Sequence, residues 1–174
     1  MESRSRRHLE LVTKWLCYCL VLLLGTVIQT TPRFLNIGSV KPVFILPVCL
    51  AVALCEGPYA GAIFGAVGGL LWDMTAGRTV GLLAISAMLL CFAAAMVVEA
   101  YLKVNHMNFV FISGMGCLLI VSMDFLFNYV MRSYSNASVR FWSVLVPICV
   151  FTAAISPPVF WLVQKISQHF QPPE

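Results

Sequence analysis

The chain has 174 residues, 60% of them hydrophobic and 10% charged, with a mean hydropathy of +0.91 and a net charge of +4. Soluble domains carry about 45–50% apolar and about 25% charged residues, so a water-soluble globular domain is excluded. A nucleic-acid footprint is excluded too, because four of the eleven basic residues, Arg4, Arg6, Arg7 and Lys14, gather at the start of the first apolar run and act as a topology signal.

In lipid every backbone polar group must be satisfied within the protein, and these apolar runs are too long and unalternating for barrel strands. The expected fold is therefore an all-α integral membrane protein, a single bundle of about six helices. In chain order the runs cover 15–31, 43–55, 58–73, 81–101, 109–131 and 141–163. The first follows a basic stretch and looks like a signal peptide. It stays as a span because no small-x-small cleavage site follows in 29–34 and further spans come after it. Crossing the hydrocarbon takes about 20 helical residues, so the second and third runs, at 13 and 16, are short or partly re-entrant around Glu56-Gly57-Pro58. The expected organisation is a cytoplasmic basic tail over 1–14, a six-helix membrane domain over 15–168 and a cytoplasmic C-terminal tail over 169–174.

With both termini inside, the inner segments carry Arg4, Arg6, Arg7, Lys14, Lys103 and Lys165, against Arg33, Lys41, Arg78, Arg132 and Arg140 outside. The bias is small and rests on the N-terminal tail. Trp15, Trp142 and Trp161 lie near expected span ends, as in an aromatic belt. In the last run Pro157-Pro158 must kink or break the helix, with Ser156 and neighbouring helices satisfying the freed carbonyls.

Gly57, Gly61, Gly65 and Gly69 recur at every fourth position and run in register to Asp73, with Ala62, Ala66 and Gly68 widening the stripe. Steps of four keep one face of a helix aligned over about 24 Å. The result is a groove that accepts a second helix backbone, where close packing supplies the attraction. Its occupant is another helix of this chain, the preferred reading, or a partner's helix.

Acids at membrane depth are costly, which draws attention to Glu56, Asp73, Glu99 and Asp124. Glu99 stands four residues before Lys103 and suits a surface ion pair, and Glu56 lies at a turn. Asp124, with Ser122 close by and Asn128 one turn on, must face protein or water. Asp73 or Asp124 is expected to pair with Arg78 or Arg132 in an outer polar cluster that includes Asn128. A proton or ion relay is the rival reading, weakened because His8, His106 and His169 all fall outside the runs.

The seven cysteines are scattered through the apolar runs without C-x-x-C or histidines at ligand spacing, and read as packing residues. There is no nucleophile with a base and an orienting group, and the glycine ladder lacks the lysine and hydroxyl of a phosphate loop. Neither catalysis, a metal nor a cofactor is expected.

Lys41-Pro42-Val43-Phe44-Ile45-Leu46, Glu56-Gly57, Gly61-Ala62-Ile63-Phe64-Gly65, Gly69-Leu70-Leu71-Trp72-Asp73, Gly77 and Val80-Gly81-Leu82 closely resemble MreD, the rod shape-determining membrane protein family of bacteria. The specific match covers about residues 40 to 90, and the rest agrees in hydropathy and chain length. The resemblance implies a non-enzymatic scaffold subunit of the cell-elongation machinery in the bacterial inner membrane. Its implied partners are MreC through its single transmembrane helix and, through MreC, MreB, RodA and a penicillin-binding protein, with membrane lipid around it. The family is also similar in fold to substrate-binding subunits of energy-coupling-factor transporters, which makes small-molecule transport the alternative. Those subunits carry A-x-x-x-A on the first helix, and Leu16 to Gly25 has none.

Overall fold

The computed structural model describes residues 2–31, 41–76, 81–101, 105–127 and 145–170. Among these the chain is entirely helical: α1 Glu2–Thr30, α2 Ile45–Glu56, α3 Pro58–Ala76, α4 Leu82–Tyr101, α5 His106–Phe125 and α6 Val146–His169. Helical order begins at Glu2, inside the basic stretch, and ends well beyond the last expected apolar run. Four of the helices, Glu10–Thr30 within α1 and then α4, α5 and α6, are long and apolar enough to cross a membrane.

The short second helix is the centre of the fold. At 12 residues α2 is about 18 Å long, and every residue from Ile45 to Ala53 is buried. It packs against each of the other five helices, which close around it in the order α1, α3, α4, α5, α6 and back to α1. A helix with neighbours on all sides has no polar face to offer, and the sequence of α2, apolar all round until Glu56, fits that position. The lipid-facing side chains belong to the surrounding helices, among them Leu16, Leu20 and Leu23 of α1, Ile63 of α3, Leu89 of α4 and Phe111 of α5.

The α2–α3 turn takes its shape from two residues. Gly57 adopts φ +93°, a left-handed conformation that glycine reaches without strain, and its N–H donates to the Ala53 carbonyl at 3.0 Å. Pro58 then opens α3 at the first helical position, where its missing N–H costs nothing. Aromatic contacts tie the surrounding helices together: Trp15 stacks on Phe64 at 5.8 Å between α1 and α3, and Phe109 stacks on Phe160 at 4.5 Å between α5 and α6.

The proline pair in α6 does not break the helix, which runs unbroken from Val146 to His169. The Ala153 carbonyl, which loses its usual donor at Pro157, accepts the Ser156 hydroxyl at 2.7 Å instead.

Candidate functional site

A helix too short to cross the hydrocarbon ends at membrane depth, so its terminal groups need partners from the protein. Both ends of α2 receive them from the same two helices. At its N-terminus the Gln29 side-chain oxygen, from α1, accepts the N–H groups of Phe44 at 2.9 Å and Ile45 at 3.2 Å. The Thr152 hydroxyl, from α6, accepts Val43 N–H at 3.1 Å while donating to its own Ile148 carbonyl at 2.8 Å.

At the other end Glu56 gathers three donors. Lys14 Nζ lies 2.6 Å from Oε1 and donates to Oε2 at 2.8 Å; the Tyr18 hydroxyl donates to Oε1 at 2.7 Å and the Ser167 hydroxyl at 3.2 Å. Lys14 and Tyr18 belong to α1 and Ser167 to α6. The pair is largely removed from solvent, with side-chain exposures of 10% for Lys14 and 14% for Glu56. Tyr18 is fully buried, and its ring meets Phe64 edge-on at 6.2 Å.

The spacing of the two layers follows from helix geometry. Lys14 and Gln29 are 15 residues apart on α1, as are Thr152 and Ser167 on α6, which is about 22 Å of helix and close to the length of α2 with its lead-in. The clamp matches what it holds. Glu56, expected only at a turn, is thus the acceptor of a buried network, and Lys14, read from the sequence as a topology signal, is its ion-pair partner. Tyr18, Gln29, Thr152 and Ser167 carry no sequence motif. The signal that finds them is indirect: an apolar helix too short to span implies polar residues one α2-length apart on its neighbours.

The glycine ladder faces helices of its own chain. A Cβ at Gly65 would lie 2.7 Å from the Ala87 carbonyl oxygen, and one at Gly69 would lie 2.5 Å from Ala84 Cα and 2.6 Å from the Leu83 oxygen, all backbone of α4. Gly61 meets Ala53, and Gly68 meets Cys49, both on α2. Gly57 is different, with open space around it and the positive φ of the turn. From Gly61 to Gly69 the groove is occupied by α2 and α4.

At the end of the bundle away from the Lys14–Glu56 pair, Asp73 is 1% exposed. Its Oδ2 accepts Gly81 N–H at 2.8 Å and Ala84 N–H at 3.3 Å, so a carboxylate on α3 caps the start of α4. Its Oδ1 has no partner among the described residues. Asp124 is buried at 9% exposure on α5 and is engaged by another group. Arg78, Asn128 and Arg132 lie outside the described residues, as does Lys103, the expected partner of Glu99. No group of three metal-ligating side chains occurs among the described residues.

A family model described as rod shape-determining protein MreD matches residues 10–166. No curated protein matches the chain, and no solved structure does.

Proposed function

The chain belongs to the MreD family of rod shape-determining membrane proteins, and from that membership we propose that it is a non-enzymatic scaffold of the cell-elongation machinery. In this role it binds the single transmembrane helix of MreC and, through MreC, positions MreB, RodA and a penicillin-binding protein where peptidoglycan is made. The observation that carries the reading is the family match over residues 10–166. The fold supports it physically. A central helix clamped at both ends by α1 and α6 gives a stiff five-helix wall, and a stiff wall holds partners in fixed relative positions.

The Gly61–Gly69 groove is filled from within, so a partner helix is received on the lipid-facing outside of the wall. The outer polar cluster of Asp73, Asp124, Arg78, Asn128 and Arg132 belongs to the same proposal. The Oδ1 of buried Asp73, which has no partner among the described residues, supports it, because such an oxygen favours a cationic neighbour. Transport of a small molecule, the alternative, is not favoured by the family.

Affinity purification from native membranes tests this reading. An MreC-type single-span protein and cell-wall synthases are expected to co-purify in stoichiometric amounts. Their absence, with the protein folded and monodisperse, would contradict the scaffold role.

A further inference from the structure

Because α2 stops short of the far end of the bundle, a cavity of about 360 Å³ remains beside its N-terminus. Its walls come from α1 through Gln29 and Thr30, from the lead-in to α2 through Lys41, and from α3 and α5 through Trp72, Thr75 and Val121. Ligand pockets run from about 300 to about 1,000 Å³, so this one has room for a headgroup but not for acyl chains as well. Gln29 and Thr30 close α1 and Thr75 lies one residue before the end of α3, which puts the cavity at the level of the lipid headgroups.

The polar groups of the wall divide by what they have left to offer. The N–H groups at the start of α2 are already taken by Gln29 and Thr152 and offer a ligand nothing. That commitment orients Gln29. With its oxygen fixed by Phe44 and Ile45, the planar amide turns its two N–H donors away from those groups, and neither has an acceptor among the described residues. The Trp72 indole N–H and the exposed Lys41 ammonium are likewise donors without an acceptor there. Thr30 and Thr75 are the complement. Their hydroxyl hydrogens go to the Thr26 carbonyl at 2.9 Å and the Trp72 carbonyl at 3.0 Å, so their oxygens remain as acceptors. Asp124 also lines the cavity but is engaged by another group, so no ligand contact is assigned to it, and its charge disfavours a polyanion.

We propose that this cavity binds a phosphodiester monoanion carrying hydroxyl groups, the headgroup chemistry of phosphatidylglycerol. The phosphate accepts from Lys41, Gln29 and Trp72, and the glycerol hydroxyls donate to Thr30 and Thr75. A headgroup that bears an ammonium brings a second cation beside Lys41 and is disfavoured. A bound lipid is no part of the scaffold reading, and the inference does not depend on that reading.

The full-length protein, reconstituted in nanodiscs of equal phosphatidylglycerol, phosphatidylethanolamine and phosphatidylcholine and then released for native mass spectrometry, tests the assignment. One phosphatidylglycerol per chain is expected to be retained over the other two lipids. Lys41→Gln, at an exposed position, should lower retention about tenfold, the effect of one lost hydrogen bond between charged groups. Gln29→Glu keeps an oxygen for Phe44 and Ile45 but loses the N–H donors, so it should abolish retention while thermal unfolding stays near that of the wild type. Trp72→Phe removes one N–H and no charge. A roughly fivefold loss in it separates a hydrogen-bonded site from general attraction of the anionic lipid to Lys41. Free glycerophosphoglycerol that binds with the same dependence on Gln29 and Lys41, when the lipid itself is not retained, would also support the site and identify a soluble source. No retention of either form, equal retention of all three lipids, or retention unchanged in Gln29→Glu and Trp72→Phe would overturn the proposal.

Discussion

Gly69→Ala and Gly65→Ala are expected to destabilise the protein by about 1–3 kcal/mol each, the usual cost of an extra methyl in a packed interior, and Gly65→Leu to prevent folding. The atoms a new Cβ would strike are backbone: Ala87 O for Gly65, and Ala84 Cα and Leu83 O for Gly69. No side-chain rotation relieves such a contact, so α3 and α4 must move apart. Separation then loosens the Asp73 cap on Gly81 and Ala84, which needs both helices in register. Gly25→Ala is the control, because its Cβ meets only ordinary contacts at 3.7 Å to Phe44 and Val48. Thermal unfolding in detergent checks the set. A Gly69→Ala protein as stable as Gly25→Ala would mean that the ladder is not a close backbone crossing.

Glu56→Ala has the other large effect. Removing one member of a buried ion pair costs about 3–5 kcal/mol, because the remaining charge is left without compensation. Here the loss also strands the Tyr18 and Ser167 hydroxyls, which share Glu56 as acceptor. Lys14→Met should cost less. Glu56 then keeps two hydroxyl donors. Tyr18→Phe should cost about 1 kcal/mol, the net value of one hydrogen bond. The exchange Lys14→Glu with Glu56→Lys should recover part of the loss, as a double-mutant cycle on a real pair must. Full additivity of the two single changes would show that the residues do not interact.

These two sites differ in how visible they were. The ladder's spacing predicts a backbone-close crossing, and Gly61, Gly65 and Gly69 take part in one, because four-residue steps fix a face of a helix whatever the fold. The shortness of α2 was equally plain, since length against bilayer thickness is a local property. Its central position was not, because a short run reads alike as a re-entrant loop or a buried core helix. The polar clamp was hidden for a related reason. Glu56 is bound by residues on α1 and α6, 38 to 111 positions away in the chain, and such separations leave no local pattern. Asp73 shows the opposite case. It was recognised as a costly intramembrane acid, and the hydrogen bonds described for it come from the backbone at the start of α4, while its expected cations, Arg78 and Arg132, lie outside the described residues. Pro157-Pro158 was expected to kink or break α6 with Ser156 satisfying a freed carbonyl; the Ser156 hydroxyl does donate to Ala153, and the helix continues without a break.

If a clamped, internally packed bundle of the MreD family maintains rod shape by holding partners on its outer wall, its loss must change the shape of the cell. The most direct measurement is the cell's length-to-width ratio after depletion, with complementation by wild type, Gly25→Ala and Glu56→Ala at matched expression. Round cells are expected on depletion, rods on complementation with wild type or Gly25→Ala, and round cells with Glu56→Ala. Rods that persist through complete depletion would contradict it.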